Sequence, residues 1–149
     1  RIGGLWHAFT YSAHPVAAAV ALKTIEIYRR RDIVGHVRKV APVFQARLAA
    51  LAGHPLVGEA NGVGLIGGIE LVADKKSRRN FEAAKGVAAA CVRYCESEGV
   101  IVRALQDDRI AFCPPLVISE AEVNELFDRF ERALARTLDW VKAEGLLTS

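Results

Sequence analysis

Apolar residues recur at helical spacing in two long stretches of the chain. Val37, Val40, Ala41, Phe44, Leu48 and Leu51 form one stripe, and Val123, Leu126, Phe127, Phe130, Leu134, Leu138 and Val141 form the other. The first predicts a helix opening after Asp32, which offers a side-chain cap, with a kink or break at Pro42. The second is launched by Ser119-Glu120-Ala121-Glu122, where serine and glutamate three residues apart make a capping box. A third helix is predicted with Asn80 as its cap, Ala84, Val87, Ala88, Cys91 and Cys95 on one face, and Gly99 at its end. Ahead of all three, Pro15 is preorganised to begin an Ala-rich helix that runs to about Arg31, with arginines in the last turn.

Between these helices the pattern shortens. Val57 to Ala60 and the glycine-rich Leu65 to Val72 read as strands, followed by a polar loop from Lys75 to Asn80. Val100 to Leu105 and Arg109 to Cys113 read as a hairpin joined through Gln106-Asp107-Asp108, ended by Pro114-Pro115. The order helix, helix, strands, helix, hairpin, helix implies an α/β fold: a small, mostly antiparallel sheet covered by helices.

Composition narrows the function classes. The 149 residues carry a net charge of +3, and the basic runs Arg29-Arg30-Arg31 and Lys75-Lys76-Ser77-Arg78-Arg79 fall at a helix end and in a loop. Solvated charge explains both, and neither basic stripes nor stacking platforms for nucleic acid are present. Apolar runs such as Val16 to Leu22 fall far short of the roughly 20 residues that span a bilayer, and no secretory leader is visible. Three cysteines suit reduced thiols better than a disulfide framework. The expected location is cytoplasmic.

Several motifs invite a chemical reading. Gly62-Val63-Gly64-Leu65-Ile66-Gly67 fits G-x-G-x-x-G, but that fingerprint requires a helix to leave the turn, and here a strand pattern continues through Gly68-Ile69-Glu70-Leu71-Val72. A tight turn with close strand packing is the expectation. Cys91 and Cys95 share a helical face with no further ligand at metal spacing, so they read as core residues and no metal is expected. Arg103 shares a strand face with Ile101 and Leu105. From strand position alone it is either a snorkelling or edge-paired side chain or a receptor for a carboxylate, which its planar fork can grip with two hydrogen bonds. Phe9-Thr10-Tyr11-Ser12 ahead of the first helix is either an ordinary turn with hydroxyl caps or a set of N–H and hydroxyl groups able to hold a phosphate. His7 and His14 have no visible acid–base partner and read as structural.

His7-Ala8-Phe9-Thr10-Tyr11-Ser12-Ala13-His14-Pro15 resembles the H-G-F-T-Y-(S/G)-(G/A)-H-P signature of class III aminotransferases, the pyridoxal-phosphate enzymes of fold type I that include the ω-amino acid:pyruvate transaminases. The resemblance continues through Gly62-Val63-Gly64-Leu65 with Gly68-Ile69-Glu70-Leu71-Val72, and through Val102-Arg103-Ala104-Leu105 to Ile110-Ala111-Phe112-Cys113-Pro114-Pro115-Leu116. Ala8 stands where the family usually has glycine.

The resemblance implies a role for each candidate. Phe9 and Thr10 would bind the cofactor phosphate held by the other subunit of a homodimer or a dimer of dimers, and Arg103 would clamp the substrate carboxylate. Residues 1–31 would be a lead-in loop and interdomain helix, and residues 32–149 the small C-terminal domain. The family's Schiff-base lysine lies upstream of the signature, and none of Lys23, Lys39, Lys75, Lys76, Lys85 or Lys142 takes its place. No catalytic residue is therefore assigned, and a C-terminal fragment without activity of its own is expected. The implied parent moves an amino group from an amine or ω-amino acid to a 2-oxo acid such as pyruvate. A pyridoxal-phosphate-dependent aminomutase or decarboxylase, and a free-standing, non-catalytic dimerisation or ligand-binding domain, are the alternatives.

Overall fold

The computed structural model describes Gly3 and residues 9–147, and the chain divides into two compact units, residues 1–34 and 35–149. The first holds α1 (Pro15–Arg30), which starts at the expected proline and buries none of its residues. Val16, Val20, Leu22 and Ile25 are all exposed along it. Arg29 and Arg30 lie in its last turn, where they complement the helix dipole.

The second unit is an antiparallel sheet with helices on one face. Most of α2 (Ile33–Ala50) belongs to it, followed by β1 (Val57–Val63), β2 (Ile66–Leu71), α3 (Val87–Ser97), β3 (Arg103–Leu105), β4 (Arg109–Phe112) and α4 (Glu120–Ala143). The strands lie in the order β1-β2-β4-β3, every neighbour antiparallel, which bears out the sheet expected from the sequence. Ile69, Leu71, Ile110 and Phe112 point from the strands into one core with Phe44 and Leu48 of α2, Cys91 and Cys95 of α3, and Phe127, Phe130 and Leu134 of α4. Outside that core, Arg47 of α2 reaches Asp128 at 2.6 Å and Glu131 at 3.1 Å on α4.

Three local expectations need correction. α2 runs unbroken through Pro42, which lies on the exposed face, where the carbonyl deprived of its helical donor can meet water. Asn80 caps no helix. A short 3₁₀ turn fills Ala83–Lys85, and α3 begins only at Val87, after Gly86 in the left-handed region. The first strand is longer than expected and β3 shorter, because pairing rather than hydropathy sets where each ladder ends.

The capping box forms as read. Glu122 N–H donates to Ser119 Oγ at 3.3 Å, and Ser119 N–H donates to Glu122 Oε2 at 2.8 Å. The glycine motif is a hairpin: β1 turns into β2 through Gly64-Leu65, with Gly64 at φ 59° and Gly62 paired with Gly67. A Cβ at Gly67 would stand 2.5 Å from Leu48 Cδ2, so the strands need bare backbone there to seat α2. No helix leaves this turn, and the nucleotide fingerprint has no structural basis.

Candidate functional site

The candidates fall in different units, Phe9 and Thr10 in the first and Arg103 in the second. His7 and Ala8 lie outside the described residues. Phe9 to His14 forms a tight turn: Ser12 N–H donates to Phe9 O at 3.0 Å, and His14 N–H donates to Tyr11 O at 3.3 Å. Ala13 adopts φ 59°, which lets the chain reverse directly into α1. The Ser12 hydroxyl is engaged locally, accepting from Phe9 N–H at 3.1 Å. Among the described residues, the N–H and hydroxyl of Thr10 meet no hydrogen-bond partner, and the residue is exposed. Phe9 and Tyr11 are exposed as well, and the Tyr11 and His14 rings stand 6.3 Å apart.

Arg103 opens β3, an edge strand, opposite Ala111 of β4. Register places Asn61, Gly68, Ala111 and Arg103 in one row on the sheet face opposite the one that packs against this unit's helices. Its cross-strand partner Ala111 is small, and Gly68 lies beyond Ala111 in the same row. Ile101 precedes the strand and is 94% exposed, so the apolar face expected around Arg103 is an open one. Among the described residues Arg103 makes no ion pair or hydrogen bond. The neighbouring row differs: Arg109 is paired with Glu70 at 3.4 Å, and these two line a depression of about 310 Å³ with Glu59, Asn61 and Leu105. Arg103 stands outside that lining.

The ends of the segment that carries Arg103 are built from contacts no local pattern announces. Asp108 is buried, and its carboxylate accepts from Ala88 N–H at 2.8 Å, so α3 is capped from the hairpin turn twenty residues later. At the other end of α3, the Glu98 carboxylate accepts from Arg132 Nε at 2.9 Å and from Arg136 Nη1 at 3.3 Å. The hydrogen bond from Arg132 holds the Glu98 carboxyl below the usual carboxylate range, against the opposite push of burial, and Arg136 adds to it. The only sequence signal for Asp108 was the Asp107-Asp108 pair, a residue type that tolerates the left-handed backbone both adopt.

Cys91 and Cys95 are buried in the core as free thiols, Cys113 is a free exposed thiol, and no cluster of metal-ligating side chains exists among the described residues. No described helix is long and apolar enough to cross a membrane.

Comparison with known proteins converges on one family. Residues 1–134 match the family model for class-III aminotransferases. A putrescine–pyruvate aminotransferase from Pseudomonas aeruginosa is 46% identical over 136 residues, covering 91% of this chain and 29% of that protein. A probable γ-aminobutyrate transaminase 3 from Oryza sativa subsp. indica, described as mitochondrial, is 41% identical over 137 residues, covering 92% of this chain and 27% of its own length. The crystal structure of an ω-transaminase from Pseudomonas jessenii in complex with PMP superposes with a TM-score of 0.83 at 40% identity, over 94% of this chain and 31% of that one. This chain thus spans less than a third of the relatives it matches. With both sequence and backbone in agreement over nine-tenths of its residues, the chain belongs to the class-III aminotransferase family.

Proposed function

We propose that this chain is the C-terminal part of a pyridoxal 5'-phosphate-dependent aminotransferase that moves an amino group from an amine or ω-amino acid to a 2-oxo acid such as pyruvate. The names of the relatives support transamination over an aminomutase or decarboxylase. Residues 1–31 act as lead-in loop and interdomain helix, and residues 32–149 as the small domain. The exposed apolar residues of α1 suit that linking role. In a homodimer the Phe9-Thr10 turn of one subunit serves the site of the other. Cysteines left as free thiols support a reducing, cytoplasmic setting.

The turn fits a phosphate group in a specific way. Phe9 N–H is taken by Ser12, which leaves the N–H and hydroxyl of Thr10 as donors, while Phe9 shapes the turn that presents them. These two donors together offer the kind of contact that phosphates receive in backbone nests. The cofactor, when bound, supplies the electron sink for the bond-breaking chemistry. This chain contributes binding and orientation: Thr10 holds the phosphate, and Arg103 grips the substrate carboxylate and so aligns the amino group. A guanidinium on an open sheet face with no carboxylate of its own is the observation that carries this reading.

The test is Arg103→Ala in the full-length protein, with kcat/KM measured for each substrate in its own half-reaction. Hydrogen bonds to a charged group are worth about 1.5–3 kcal/mol, so carboxylate-bearing substrates should lose about 10- to 150-fold while plain amines stay within about twofold. Equal losses for both substrate classes would overturn the assignment.

A further inference from the structure

We propose that Asp108 is a positioning residue for Arg103, fixing the edge strand on which the arginine stands. The inference rests on the carboxylate-binding role given to Arg103 above. β3 is three residues long and has a ladder on one side only, so its own hydrogen bonds hold it weakly. The segment from Glu98 to Asp108 is instead fastened at both ends. At the first, the Glu98 carbonyl accepts from Arg129 Nη1 at 2.9 Å and Val100 N–H donates to Cys95 O at 2.8 Å. At the second, Asp108 makes two contacts with different elements. Its carboxylate takes the otherwise orphaned N–H of Ala88 in the first turn of α3, and its carbonyl accepts at 3.0 Å from the N–H of Leu71, the last residue of β2.

Arg103 lies midway along this strung segment, five residues from each anchor. α3 is the rigid strut that spans both anchors, with Ala88 near its start and Glu98 just past its end. Asp108 also sits at φ 50°, a backbone conformation that costs energy for a residue with a side chain. The buried cap is what holds it there. Loss of the carboxylate frees the hairpin turn, and the guanidinium then samples positions away from the row formed by Gly68 and Ala111.

The experiment uses the full-length holoenzyme with Asp108→Ala, Asp108→Asn, Arg103→Ala and the double variant Arg103→Ala/Asp108→Ala. Asp108→Ala should lower kcat/KM about tenfold for a carboxylate-bearing substrate, mainly through KM, and leave a plain amine of equal length within twofold. Asp108→Asn, which keeps an acceptor oxygen and tolerates the left-handed backbone, should restore the carboxylate substrate to within twofold. Adding Asp108→Ala to Arg103→Ala should cause no further loss. Amide exchange in residues 103–108 should quicken in Asp108→Ala while that of β1 stays unchanged. If Asp108→Ala does not accumulate as folded protein, Asp108→Gly relieves the backbone and removes the same carboxylate, and it is scored identically. Equal losses for both substrates, or additive losses in the double variant, overturn the inference. If Arg103→Ala discriminates between substrates and Asp108→Ala does not, only this inference fails. If Arg103→Ala itself does not discriminate, the carboxylate reading fails and this inference with it.

Discussion

Replacing Phe127 with alanine removes the ring at which three elements of the second unit meet. Phe127 on α4 is fully buried, with the Phe44 ring of α2 5.3 Å away at 63° and the Phe112 ring of β4 5.5 Å away at 30°. Arg47 closes the outer side, its guanidinium 5.8 Å from the ring centroid. Truncating a buried phenylalanine to alanine costs about 3–5 kcal/mol through lost transfer energy and the residual cavity. Each ring pair adds about 0.5–1.5 kcal/mol beyond its area. A loss of about 4 kcal/mol is therefore expected, a large share of the ~5–15 kcal/mol that holds a typical domain folded. Phe127→Leu keeps most of the volume and should cost about 1–1.5 kcal/mol. With a urea slope near ~2 kcal/mol/M, the alanine variant should unfold about 2 M earlier and the leucine variant less than about 1 M earlier, both with the slope unchanged. A double-mutant cycle with Phe44→Ala should return a coupling of about 1 kcal/mol. An alanine cost below about 1.5 kcal/mol, or no coupling to Phe44, refutes the view that this aromatic junction fastens α2 and β4 to α4.

Two glycines in one hairpin should behave oppositely. Gly67→Ala drives a Cβ to 2.5 Å from Leu48 Cδ2 and 3.2 Å from Phe44 Cε1, and should cost about 1–3 kcal/mol in urea unfolding. Gly64→Asn, at φ 59° with nothing within 4 Å, should cost less than about 0.5 kcal/mol; similar costs at both positions would mean packing does not select Gly67. Glu98 sets a pH dependence. Its carboxyl is held below the ordinary glutamate range by Arg132 and Arg136, so its contribution is fully present above ~4.3 and fades as pH falls through the lower native value. Between pH 6 and pH 3 the wild type should lose more stability than Glu98→Gln, whose side chain does not titrate, and parallel profiles would exclude the link.

Long, one-faced patterns were legible from the residues alone. The stripe from Val123 to Val141 and the box at Ser119 specified α4 because spacing and capping are local chemistry, each satisfied within one or two turns. The Gly62-to-Gly67 turn could be separated from a nucleotide loop because a strand pattern follows it. Resemblance supplied more than periodicity did: it singled out Phe9, Thr10 and Arg103 from residues whose bland and chemical readings looked alike. The start of α3 was misjudged because Asn80 offers a cap in sequence, whereas the carboxylate that takes the helix N–H belongs to Asp108, brought back by a hairpin. Pro42 was read as a kink or a break because sequence does not show that it lies on the exposed face of a continuous helix.

What the chain determines by itself is therefore the kind and order of its elements, since hydrophobic period, caps and turn residues act over a few neighbours. Tertiary structure decides which carboxylates are consumed in holding the fold, and among the described residues none of them reaches Arg103. Arg47, Arg109, Arg132 and Arg136 look no different from Arg103 along the sequence, yet each meets an acid from another element, while Arg103 lies on an edge strand opposite Ala111. Pairing across the sheet and between helices depends on residues about 30 to 80 positions apart, and only the folded chain brings them within reach.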